Sequence, residues 1–181
     1  MGLCTLGVCQ EQSPKLGSVP KVTHLKTNEA CRAHFEEVYE ASLYYVNHYN
    51  SGGNEVEDCR SLVIDYCMVS EDMVFAVGPQ MTKIAKETES AARMLFTAAM
   101  AGYVIYMHDH PEEDHKNFSE AAYIYSWSTM LDYYESNRKM HMGPTSKTLD
   151  AYIKAFEKGT DKYLEMVKKD FKQYKKQSQK S

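Results

Sequence analysis

Three groups of residues in this 181-residue chain have types and spacings that could do chemistry. The densest is His108-Asp109-His110, followed after Pro111 by Glu112, Glu113, Asp114 and His115. Imidazoles and carboxylates this close together are the donors of divalent metal sites, and His108, His110 and His115 are the candidate ligands. The spacing argues against a built site. Metal centres in helical bundles draw ligands at i, i+3 or i+4 from facing helices, whereas this group straddles a helix end and a loop. Histidines at the negative end of a helix dipole, followed by a solvated acidic loop, account for the same residues without a metal.

The second group lies at Met1-Gly2-Leu3-Cys4. Loss of Met1 would expose Gly2 for myristoylation, with Cys4 and Cys9 close enough for palmitoylation. The usual acceptor pattern asks for Ser or Thr at position 6, and this chain has Leu6 with Thr5 one place early. The apolar stretch over residues 4–9 is too short for a signal peptide, and no basic residue precedes it.

The third group is Lys168, Lys169, Lys172, Lys175 and Lys176. Between Lys162 and Ser181 seven lysines face only Glu165 and Asp170, a local balance of +5 in a chain whose net charge is −4. A basic, amphipathic helix end of this kind suits an anionic surface, lipid or protein. The acidic remainder of the chain argues against general nucleic-acid binding.

Motifs for other chemistries are missing. The chain has no glycine-rich phosphate loop, no GxSxG and no HExxH. Its five cysteines form no CxxC pair, and Cys31, Cys59 and Cys67 read as core thiols of a reduced cytosolic protein. No catalytic residue and no cofactor are assigned, and the chain is expected not to be an enzyme. Fourteen Tyr and eleven Met raise one alternative, a bundle that opens to hold an apolar ligand such as a lipid. A metal-dependent enzyme built on His108, His110 and His115 is the other.

The elements that must position these groups are helices. Ala91–Met107 carries no charge from Met94 onward, which predicts a helix buried on all sides. Fourteen residues at about 1.5 Å each cover roughly 21 Å, short of a roughly 30 Å hydrocarbon core, so this is a core helix. Around it the periodicity predicts helices from about Asn28 to residue 49, 54 to Val77, Pro79 through Met107, Asn117 to a close at Gly143-Pro144, and Ser146 into the tail. Asn54 with Glu57 and Asn117 with Glu120 read as capping pairs, Met73–Val77 has a short strand as its alternative, and Gly159 is a weak point of the last helix.

The expected architecture is therefore all-α: a single-domain antiparallel bundle of about five helices around a buried central helix. Residues 1–27 form a flexible, acylatable arm, and residues 28–181 form a bundle whose basic C-terminal helix end projects. The expected role is that of an adaptor or regulatory interaction protein with a protein partner. It would be cytoplasmic and tethered peripherally to the inner face of a membrane by the arm and the lysines.

Overall fold

A computed structural model describes residues 16–22, 24–48, 53–140 and 143–178. Among them the regular structure is entirely helical, and no strand is present. Eight α-helices follow in order: α1 (Asn28–Ala33), α2 (Phe35–Asn47), α3 (Asn54–Val69), α4 (Pro79–Thr88), α5 (Ala92–Asp109), α6 (Glu120–Lys139), α7 (Lys147–Glu157) and α8 (Thr160–Ser178). A single 3-10 turn, Glu89–Ala91, links α4 to α5.

The expectation of five helices is corrected at three breaks. His34 leaves helical geometry (φ −112°) and splits α1 from α2. Glu89 takes φ +43° and splits α4 from α5. Gly159, at φ +137°, splits α7 from α8 in a conformation that only glycine adopts cheaply. The helix expected to reach Val77 also stops early, at Val69. Beyond it the chain runs extended, with Met73 and Ala76 buried and Val74 and Val77 exposed. The Val74 N–H donates to the His115 carbonyl at 3.1 Å, but no strand forms.

Local chemistry explains the helix starts. Thr27 and Ser119 cap α1 and α6, accepting the N–H groups of Ala30 and Ala122, and Pro79 occupies the first turn of α4. The two capping pairs read from the sequence are not formed as such. Gly53 sits at the N-cap of α3 without a side-chain bond, and Ser119, not Asn117, caps α6.

Helix α5 packs against α2, α3, α4 and α6, and every residue from Ala101 to Met107 is buried. Its contact with α6 is close enough that a Cβ at Gly102 would lie 2.7 Å from the Cβ of Thr129. The helix ends at Asp109, two residues before Pro111. Aromatic rings fill much of the core and bond across elements. Tyr45 donates to the Met94 carbonyl at 2.9 Å, and Tyr103 to the His115 carbonyl at 2.8 Å. Trp127 stacks on Tyr152 with ring centres 4.6 Å apart. Cys31 and Cys59 are fully buried and Cys67 partly so, all three as free thiols; burial pushes the Cys59 thiol up to about 12.

Residues 16–22 and 24–26, expected as part of a flexible arm, make hydrogen bonds to α2 and α3. Ser18 donates to the Glu40 carbonyl, the Lys21 and Val22 amides to Glu37 Oε2, and the Leu25 amide to Asp65 Oδ2. Gly17 makes this possible at φ +73°, where its Cα lies so near α2 that a Cβ would meet the Tyr44 nitrogen at 2.2 Å.

Candidate functional site: a basic cavity between α4, α7 and α8

The His-rich turn gives its three histidines separate roles. His108 stacks on Tyr39, ring centres 3.6 Å apart, with Nδ1 3.2 Å from Asp109 Oδ1 and Nε2 3.6 Å from Glu36. His110 donates from Nδ1 to the Tyr106 carbonyl at 3.0 Å and stacks on that residue's ring. His115 donates from Nε2 to the His110 carbonyl at 2.9 Å. Each of these bonds fixes the tautomer of its ring and leaves the opposite nitrogen, His110 Nε2 or His115 Nδ1, with its lone pair. Among the described residues no group of three His, Cys, Asp or Glu side chains is placed to hold an ion. His108, His110 and His115 each fasten a different part of the turn that ends α5, and in this structure they do not converge on one point.

Gly2, Cys4 and Cys9 lie outside the described residues. No helix among the described residues is long and apolar enough to cross a membrane.

The basic helix is docked further along than its sequence suggested. Tyr163, Val167, Asp170 and Phe171 of α8 are buried, so the packed part runs past Lys168 and Lys169. Asp170 is the reason. Its side chain is only 2% exposed, and it accepts the Gln80 N–H at the start of α4 (3.4 Å) and the Tyr123 hydroxyl. Burial pushes its pKa above the ordinary carboxylate range, against the pull of those two bonds. Gly78 leaves room for this junction, since a Cβ there would lie 2.5 Å from the Tyr123 hydroxyl and 3.0 Å from Asp170 Oδ2. Of the five candidate lysines, Lys168 pairs with Glu120 at 3.4 Å, and Lys175 lies over the Phe171 ring at 5.3 Å. Lys169, Lys172 and Lys176 are exposed.

Where α8 docks, a cavity of about 330 Å³ opens between three helices. Helix α4 contributes Gln80 and Lys83; α7 contributes Lys147, Thr148, Ala151 and Tyr152; α8 contributes Met166, Lys169, Asp170 and Gln173. The α8 residues recur at i, i+3, i+4 and i+7, which is one helix face. The start of α7 is held in register by Glu87 of α4. That carboxylate accepts the Ser146 hydroxyl (2.6 Å), the Thr148 N–H (2.9 Å) and the Thr148 hydroxyl (2.8 Å). Burial alone would raise the Glu87 pKa, but the Ser146 and Thr148 bonds, with Lys83 nearby, outweigh it and hold the carboxyl below its ordinary value.

The ammonium groups of Lys83, Lys147 and Lys169 form no ion pair among the described residues. Tyr152 is 4% exposed; burial first, then the Asp170 charge, raises its pKa. The arrangement suits a small anion with hydroxyl or other hydrogen-bonding groups. Its lining joins those lysines, amides and hydroxyls to the apolar side chains of Ala151, Met166 and Tyr152.

The sequence did not reveal this site, because its lysines come from three helices separated by more than sixty positions at the widest and follow no local motif. Only the α8 share, Lys169 among the basic tail, carried a visible signal. No protein-family model, no curated protein and no solved structure matches the chain.

Proposed function

We propose that the protein is a non-enzymatic helical adaptor or regulatory module. It works at the cytosolic face of a membrane, with the basic surface of α8 resting on anionic lipid. Acylation at Gly2, joined by Cys4 and Cys9, supplies the second attachment that stable residence requires. The observation that supports this reading is the concentration of unpaired lysines on one side of an acidic protein. Lys169, Lys172 and Lys176 of α8, with Lys83 and Lys147 beside them, form no ion pair among the described residues. Each lysine brought near an anionic leaflet is worth about 1 kcal/mol, so three together shift partitioning by about two orders of magnitude.

The test has two arms. Purified, non-acylated protein is sedimented with phosphatidylcholine vesicles, with and without phosphatidylserine, at low and at physiological salt. Binding is expected only with phosphatidylserine, weakened by salt and reduced about 100-fold in a Lys169→Gln/Lys172→Gln/Lys176→Gln variant. In eukaryotic cells, Gly2→Ala and Cys4→Ser are expected to release the protein from membranes. Failure to bind phosphatidylserine vesicles even at low salt, with unchanged localisation of Gly2→Ala, would sink the reading in favour of a soluble adaptor docking on an acidic protein.

A further inference from the structure

The cavity between α4, α7 and α8 holds more positive charge than a merely structural junction needs. Its lining includes three lysines, Lys83, Lys147 and Lys169, and one carboxylate, Asp170, while Glu87, held by Thr148 and near enough to Lys83 to feel its charge, lies behind the wall. With both carboxylates ionised, about one positive charge is left over. A phosphate monoester carries about −1.5 to −2 near neutral pH, so that surplus attracts it and neutralises a large part of its charge. Sulfate or chloride would satisfy charge alone, but the remaining lining asks for more. Gln80, Thr148 and Gln173, one from each helix, add amide and hydroxyl groups to the lining; the Thr148 hydroxyl donates to Glu87 and can still accept, and Asp170, though it already accepts the Gln80 N–H and the Tyr123 hydroxyl, retains lone pairs for a further donor. Those groups suit hydroxyls on the body that carries the phosphate.

Size narrows the choice. A cavity of about 330 Å³ lies near the lower end of ligand sites, which run from roughly 300 to 1,000 Å³. That favours a single ring or short polyol over a nucleotide. The one aromatic side chain in the wall, Tyr152, already stacks on Trp127, and no second ring is present among the lining residues to sandwich a base. The mouth adjoins the α8 line that continues from Lys169 and Gln173 to Lys176, so a headgroup still attached to a membrane could enter from the surface assigned above.

We infer that this cavity binds the phosphate monoester of a small polyol, free in solution or as the headgroup of a phosphoinositide. The headgroup case rests on the membrane-facing role assigned to α8; the free case does not.

The full chain is titrated by calorimetry with inositol 1-phosphate, and inorganic phosphate serves as competitor. In parallel it is sedimented with phosphatidylcholine vesicles carrying phosphatidylinositol 4-phosphate or, at equal surface charge, phosphatidylserine. Lys83→Gln/Lys147→Gln removes two cavity charges that lie off α8. Ala151→Trp keeps every charge and fills the cavity. Lys172→Gln/Lys176→Gln thins the α8 surface and leaves the cavity intact. Melting temperatures establish that each variant folds.

One-to-one binding of inositol 1-phosphate, weakened at least tenfold by both cavity variants and unchanged by the surface variant, supports a free ligand. Preference for phosphatidylinositol 4-phosphate over phosphatidylserine, lost in Ala151→Trp, supports the headgroup. If neither probe binds, or if Ala151→Trp binds both as the wild type does, the cavity is not a site and the inference is overturned. Phosphatidylserine binding that persists in that case leaves the role of the α8 surface standing. Its loss as well brings down both.

Discussion

Asp132 should make this protein more stable in mild acid than at neutral pH. It sits half-buried on α6, and burial, reinforced by Glu135 and opposed by Lys139, raises its pKa from 3.8 to about 7. The charge also faces the hydroxyls of Tyr163 and Tyr125, neither of which supplies a cation. A carboxyl with a raised folded-state pKa keeps its proton in the folded chain while the unfolded chain has lost it. Stability therefore falls as pH rises from about 4, and the loss is complete above about 7. Holding the group at about 7 instead of 3.8 means that ionising it costs the folded state roughly 4 kcal/mol, of which roughly 3 kcal/mol is incurred between pH 5 and pH 8.

Asp132→Asn removes the titration and keeps the shape. At pH 8 it should raise stability by roughly 4 kcal/mol, or roughly 8–16 °C in Tm for a chain of this size; at pH 4 it should change little. Urea denaturation of wild type and variant at matched pH values reads the difference. The comparison also cancels the contribution of Asp170, which titrates in the same direction, and of Glu37, Asp72 and Glu87, whose lowered values act below the ordinary carboxylate range. A wild type no more sensitive to pH between 5 and 8 than Asp132→Asn would refute the reasoning.

Two further substitutions test the frame. Leu95 is fully buried on α5, so Leu95→Asp should cost several kcal/mol, a large share of the roughly 5–15 kcal/mol that holds a domain together; circular dichroism melts that superimpose on wild type would contradict the placement of α5. Gly17→Ala sets a Cβ against the Tyr44 nitrogen and Glu40 oxygen at φ +73° and should cost about 1–3 kcal/mol of local stability. Hydrogen exchange should then speed up at the Ser18 and Val22 amides, and unchanged protection at both would show that the segment is held some other way.

The helical class and the buried run of α5 were legible because both follow from residue pattern alone. Met94 to Met107 lacks charge, and a segment of that kind has nowhere to go but the interior. Pro79 and Ser146 marked helix starts for the same local reason. The breaks were harder. Gly159 was visible as a weak point, since glycine favours the backbone that ends α7 there. Nothing about His34 or Glu89 signals a break, and Glu89 at φ +43° is a conformation that local propensity disfavours and only surrounding packing imposes. Met73–Val77 looked like a continuing helix or a strand because a short apolar run fits either period, and it became an extended connector with neither ladder.

The site was less legible than the fold. Lysines along α8 read as one basic helix end, but Asp170 among them read only as a charge to be counted. Its burial against Gln80 and Tyr123 is what draws α8 back onto α4 and creates the cavity. That partnership spans 90 residues in sequence, beyond the reach of any periodicity. The histidines failed in the opposite way: they are close in sequence, and the backbone turns each ring toward a different neighbour.

The Trp127–Tyr152 stack gives the protein an optical probe of its own. Trp127 is the chain's sole indole among fourteen phenols, it is fully buried, and the ring it rests on forms part of the cavity wall. Light absorbed by the surrounding tyrosines should reach that one indole by energy transfer and leave as its emission. An occupant pressed against Tyr152 would alter the colour and yield of that emission before any change in secondary structure, whereas detachment of α8 would let water reach the ring and shift it to the red. Filling the cavity and opening the bundle can thus be told apart by fluorescence in the unlabelled protein.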